Sequence, residues 1–311
     1  MELNKIYNYL SIVFLLICIS SCKESKQNAP EQGIDKGITI PFELTTHNNI
    51  SIESVIATVD TLDLMFHTAA SSLDVTTKAV EKITSITWNA QSEVSSWGGK
   101  ATSRYSNNNA VQIGKILLDS IQIWENKNSG PTTDGKFGPN LFKDYVIEID
   151  YDHKAIKLYD SLPNKVEGYT KMEVRFENDM LFINGTSRID STDYTTEFLV
   201  HSGYGGAIMF DDKFVLDNKI GDQIEIIDEQ ELKDSFGNVL KVKKGILPTF
   251  ILGNVQLTDV PVGFFQGKIS RQQISIIGGD VLKRFNIIIS ADRKNIYLKE
   301  SELKNIEYTQ F

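Results

Sequence analysis

Cysteine is nearly absent. Cys18 and Cys22 are the only two in 311 residues, and both lie at the extreme N-terminus. They can build neither a disulfide framework nor a cysteine-based zinc site. Histidine is scarce as well, with four in the chain. Positive charge is in deficit: 32 Lys and Arg against 41 Asp and Glu leave a formal net charge of -9. A nucleic-acid surface needs clustered positive charge, so no nucleic-acid partner is expected. After the N-terminal segment, no apolar run approaches the ~20 residues of a membrane span. What remains is ordinary: 41% apolar and 23% charged residues, enough for a real core. The length suggests about two structural units.

The one long apolar run opens the chain. Lys5 precedes a largely apolar stretch, Ile6 to Ile19, and Ser20-Ser21-Cys22 follows. A basic start, a short apolar core and small residues before a cut define a secretory signal peptide. Ile19-Ser20-Ser21-Cys22 resembles a bacterial lipobox. The resemblance implies that residues 1–21 are removed and that Cys22 is acylated, which would anchor the protein to a lipid bilayer. The expected location is the bacterial cell envelope, on the outer membrane, with the body in the periplasm or at the cell surface. Residues 22–37 are polar and include Pro30, Gly33 and Gly37, the composition of a flexible tether.

From Ile38 onward strand patterns dominate. Ile38 to Leu44, Ile121 to Trp124 and Val174 to Glu177 alternate apolar and polar residues, as half-buried strands do. Gly, Asn and Asp clusters punctuate them. Short helices are expected only at Asn140 to Tyr145 and Asp280 to Phe285. The class is mainly β.

The body repeats itself. Residues 137–159 align without a gap on 277–299, and eight of the 23 positions are identical: Gly138, Lys143, Ile147, Ile149, Asp152, Lys154, Ile156 and Leu158. Upstream, Ile113-Gly114-Lys115-Ile116 pairs with Leu252-Gly253-Asn254-Val255. Leu64-Met65-Phe66-His67-Thr68-Ala69 pairs with Phe198-Leu199-Val200-His201-Ser202-Gly203. Two similar lobes, 38–165 and 166–311, are therefore expected.

Each half resembles a lobe of the retropepsin/pepsin-like aspartic proteases. In order come an apolar strand ending in a short loop, a flap hairpin, an apolar-apolar-Gly strand, a short helix and a closing hairpin. The supporting strands here are Lys136-Phe137-Gly138 and Ile276-Ile277-Gly278, with Lys136 departing from the apolar pattern. The likeness is greatest to bilobal bacterial aspartyl-protease-like proteins. It implies a two-lobed β-barrel fold with pseudo-twofold symmetry and short helices. It also places a first flap at Trp97-Gly98-Gly99, with Asp234 to Asn238 as the counterpart.

The departure lies in the chemistry. His67 and His201 stand where the resemblance puts the catalytic aspartates. Thr68 and Ser202 match the neighbours whose hydroxyls, in the family, lock the two loops together, and Gly203 keeps the tight backbone. Ala69 adds a methyl group where the family has glycine, a strained choice if that position needs positive φ. An aspartic protease needs two carboxylates that share one proton, one acting as base on water. Imidazoles are neutral or positive, so standard aspartic proteolysis should be lost. The pair leaves several roles open: a degenerate cleft binding a peptide or other extended ligand, a hydrolase with an imidazole acid/base pair, a metal site, or a structural contact. No third ligand stands beside either motif, so no metal is assigned. Two facing imidazoles should titrate as a coupled unit, taking up one proton readily and resisting the second. His47 and His153 read as solvated turn residues. Tyr204-Gly205-Gly206 is glycine-rich, but no strand-to-helix phosphate loop follows, and no cofactor is expected.

Overall fold

Strand alternation shows in the burial of the barrel strands, whereas Arg175–Glu177, read as half-buried, is a short strand exposed at every residue. Ile50–Ile56 buries Ile50, Ile52, Ser54 and Ile56 and turns the intervening residues outward, as a strand with one face in a core must. The computed structural model describes residues 37–96, 99–127, 129–233, 239–265 and 272–309.

Two closed six-stranded barrels share one strand order. The first runs Ile50–Ile56, Asp60–Phe66, Gly135–Phe137, Leu73–Thr76, Ile116–Asn126, Gly99–Ile113. It closes where Ser54, Val55 and Ile56 pair with Ile113, Gln112 and Val111. The second runs Met180–Ile189, Thr192–His201, Ser275–Gly278, Ile208–Met209, Val255–Phe265, Val239–Leu252. It closes where Thr186, Ser187 and Arg188 meet Ile251, Phe250 and Thr249. Closure leaves the ring strands without a free edge. Each barrel core is apolar and aromatic, with Phe66, Phe137 and Phe142 in the first and Phe198, Phe210 and Phe250 in the second.

A six-stranded sheet joins the barrels. Its order is Ile38–Pro41, Ala155–Tyr159, Val146–Asp150, Phe285–Ile289, Asn295–Glu300, Thr170–Glu173. The two central strands pair antiparallel, Glu148 opposite Ile288. Those positions correspond in the internal repeat, so a pseudo-twofold axis passes there. Both strands are buried along their whole length. Glu148 accepts hydrogen bonds from Tyr159 Oη (2.6 Å) and Lys165 Nζ (2.7 Å), the pairing a buried carboxylate requires.

Helix is sparse. Pro139–Phe142 is a 3-10 turn and Gly279–Leu282 a single α-turn. Two short α-helices, Thr77–Val80 and Asp212–Asp217, and two 3-10 turns, Asn164–Gly168 and Ile220–Asp222, are also present and are too short to show amphipathic periodicity. Those two α-helices are N-capped by side chains: Thr76 accepts from Ala79 N–H (3.0 Å) and Asp211 from Phe214 N–H (2.8 Å).

Candidate functional site

Two strands deliver equivalent residues to one place. Asp60–Phe66 leads directly into His67, and Thr192–His201 ends on His201. The imidazole centroids lie 4.5 Å apart with the ring planes inclined by 59°. Beyond each histidine the chain makes the same tight turn: Ala70 N–H donates to the His67 carbonyl (2.9 Å), and Tyr204 N–H to that of His201 (3.0 Å).

Next to the histidines the two loops interlock. Thr68 Oγ1 donates to the Val200 carbonyl (2.6 Å) and accepts from Ser202 N–H (2.9 Å). Ser202 Oγ donates to the Phe66 carbonyl (2.7 Å) and accepts from Thr68 N–H (3.0 Å). Each hydroxyl thus donates and accepts across the axis, and both residues are buried. Each bond contributes about 1 kcal/mol net, but breaking one strands a buried backbone group at a cost of about 1–3 kcal/mol.

The loops are backed by two glycines. A Cβ on Gly138 would stand 1.7 Å from the Ala70 carbonyl oxygen, and one on Gly278 2.2 Å from that of Gly206. These strands run parallel to the histidine strands, with Phe66 beside Phe137 and His201 beside Gly278.

Twofold symmetry breaks at the rings themselves. His67 Nδ1 accepts a hydrogen bond from Ala69 N–H (3.1 Å), which fixes the neutral tautomer protonated on Nε2. His201 Nδ1 is buried and has no hydrogen-bond partner among the described residues. The His67 ring lies over Gly203, where a Cβ would fall 2.3 Å from Nε2 and 2.1 Å from Cδ2. Only glycine fits beneath that ring. Ala69 is free of backbone strain, since its φ is not positive.

Both imidazoles are held neutral. Burial pushes His67 well below the ordinary histidine value, and His201 and the Lys136 ammonium push it further. Burial takes His201 down to about 4, with Lys136 acting in the same direction. This corrects the expectation of a readily accepted first proton. Desolvation penalises the charged form of either ring before repulsion between them begins.

Three residues near the site carry roles the sequence reading missed. The polar run around His47 reads as a solvated turn, and His47 is exposed, but Asn48 and Asn49 are buried. Asn49 Nδ2 donates to the Ser202 carbonyl (2.9 Å) and Asn48 Nδ2 to that of Gly205 (2.7 Å). They tie the first barrel to the loop that carries His201. A polar pair beside a turn gives no sequence signal of burial. Lys136, noted only as a departure from pattern, supplies the positive charge felt by both imidazoles. His153 is exposed, with Nδ1 3.0 Å from the Asp150 carboxylate.

Trp97 and Gly98 lie outside the described residues, as do Cys22 and the segment Asp234 to Asn238. Gly99 opens a strand and pairs with Ser96. Among the described residues, no group of three or more His, Cys, Asp or Glu side chains is arranged to hold a metal.

No family model matches this sequence, and no curated protein sequence does. The three-dimensional structure does find a match. It is similar to the crystal structure of aspartic proteinase from Irpex lacteus, with a TM-score of 0.60 and 12% sequence identity, covering 87% of this chain and 99% of that one. The fold is therefore that of a pepsin-like, bilobal aspartic proteinase. At this identity the likeness extends to the fold alone.

Proposed function

We propose that this protein is a catalytically degenerate relative of the aspartic proteases that binds a peptide or other extended ligand in the cleft between its barrels. The observation that carries this reading is the neutral His67–His201 pair, His67 buried and His201 partly so, beside an intact Thr68–Ser202 interlock. The frame that would align a catalytic pair is kept, and the carboxylates are replaced. Neither ring offers an anion to activate water, and His67 Nδ1 is already occupied as acceptor for the Ala69 N–H. His201 Nδ1, unpartnered and buried, carries a desolvation cost of about 1–3 kcal/mol. Sites built for binding retain such costs, whereas a purely structural contact gains nothing from one.

The test is incubation of the protein with a broad peptide library from pH 3 to pH 8, reading both cleavage and retention by mass spectrometry. Retention without cleavage is expected, unaffected by transition-state-mimicking aspartic-protease inhibitors. Cleavage that disappears in His67→Ala or His201→Ala would establish the rival reading, an imidazole acid/base hydrolase.

The same reading places the protein in the bacterial cell envelope, held by lipid on Cys22. Native protein is then expected in the membrane fraction and Cys22→Ser in the soluble or unprocessed one. Soluble native protein would refute the anchor.

A further inference from the structure

The wall beside the histidine pair differs between the barrels. Within the first barrel, Met65, Lys136 and Asp74 lie side by side across three neighbouring strands. Directly opposed residues in a sheet share one face. Phe137 points the other way, into the core against Phe66 and Phe142, so the row faces out of the barrel. The corresponding row of the second barrel is Leu199, Ile276 and Met209. Its central residue, like Lys136, is partly exposed, and its flanks are buried outside the main core. One wall therefore carries a Lys–Asp pair where the other is wholly apolar.

The pair is loosely made. Lys136 Nζ stands 3.9 Å from Asp74 Oδ2, beyond hydrogen-bond range. Asp74 has another partner, the Ser72 hydroxyl at 3.2 Å. Burial raises the affinity of Asp74 for a proton, against the lowering effects of Lys136 and Ser72, which weakens it as a permanent counter-ion. Lys136 directly precedes Phe137, whose carbonyl accepts from His67 N–H (2.9 Å), and it pairs with Met65, two residues before His67; its charge acts on both imidazoles. Such a charge is costly to keep half-buried, and an isoleucine serves at the matching position.

We propose that Lys136 forms a carboxylate-binding subsite beside His67, opposite an apolar subsite around Ile276, so that the preferred ligand is a peptide carrying an acidic group on one side of the pair. This deepens the peptide-binding reading and rests on it. The incoming carboxylate would take hydrogen bonds from the ammonium that Asp74 leaves unmade.

The experiment uses two random peptide libraries, acetylated at the N-terminus, one amidated and one with a free C-terminal carboxylate. Preference for Asp or Glu in the amidated library marks a side-chain carboxylate; preference for the free-acid library marks a chain terminus. Either should be about tenfold, the worth of one charge-assisted hydrogen bond. Lys136→Ile, which copies the second barrel and so should fold, is expected to abolish the preference. Lys136→Glu should reverse it toward Lys and Arg, and Asp74→Asn should strengthen it. Retention with no carboxylate preference, or a preference that survives Lys136→Ile, overturns the subsite and leaves the binding reading standing. No retention by folded wild-type protein overturns both.

Discussion

Replacing Gly138 by alanine is expected to destabilise the protein by about 3 kcal/mol or more, far beyond an ordinary glycine substitution. The backbone is not the cause: φ of -107° and ψ of 175° are open to any residue. The cause is contact. The new methyl carbon would sit 1.7 Å from the Ala70 oxygen and 2.7 Å from its carbonyl carbon. Neither is the end of a flexible side chain, so the loop after His67 has to move. That loop is tied back through the Ala70 N–H to the His67 carbonyl, and the strain therefore reaches the imidazole pair. Gly168→Ala is the control, because nothing lies within 4 Å of its Cβ position; it should shift stability by less than about 0.5 kcal/mol. Urea unfolding of both variants decides the matter. Equal stabilities would mean that the supporting strand does not press on the loop.

The second large effect is a loss of stability on acidification. An unfolded histidine binds its proton near pH 6.5. Folded His201 does so only near pH 4, and folded His67 lies well below its ordinary value too. Across that interval the unfolded chain holds more protons than the folded one, so the unfolding free energy falls as pH falls. The contribution is fully present above about pH 6.5 and is spent once pH drops through the folded value. For His201 alone the shift corresponds to about 3 kcal/mol. Glutamine cannot take the proton. His201→Gln should therefore flatten the profile, and the double variant His67→Gln with His201→Gln should flatten it further. Carboxylates that titrate at the acid end are common to all three proteins and cancel in the differences. Parallel profiles would mean that the imidazoles are not buried against each other.

Much of the architecture was legible in the sequence because strand alternation and repetition are local signals. Ile147, Ile149 and their repeat partners Ile287 and Ile289 announce the central strands, and those strands pair about the axis that the repeat requires. The apolar-Gly endings at Gly138 and Gly278 mark two close approaches that only a missing side chain permits. What stayed hidden depends on contacts between distant segments. Asn48 and Asn49 look like turn residues until the loop after His201 lies beneath them. The asymmetry of the pair is equally invisible: the His67 ring crosses over Gly203, while Ala69 supplies an N–H to Nδ1. Burial, which decides the charge of both rings, is a property of the assembled barrels.

The central claim is that the two barrels bring together two neutral imidazoles, His67 and His201. An NMR titration of the histidine ring carbons and nitrogens reads this directly. At pH 7 the account predicts His67 neutral and protonated on Nε2. On acidification His201 should take its proton only near pH 4, with His67 also resisting well below the ordinary histidine range. Titration of either ring near pH 6.5, the ordinary value for a solvated imidazole, would contradict the account.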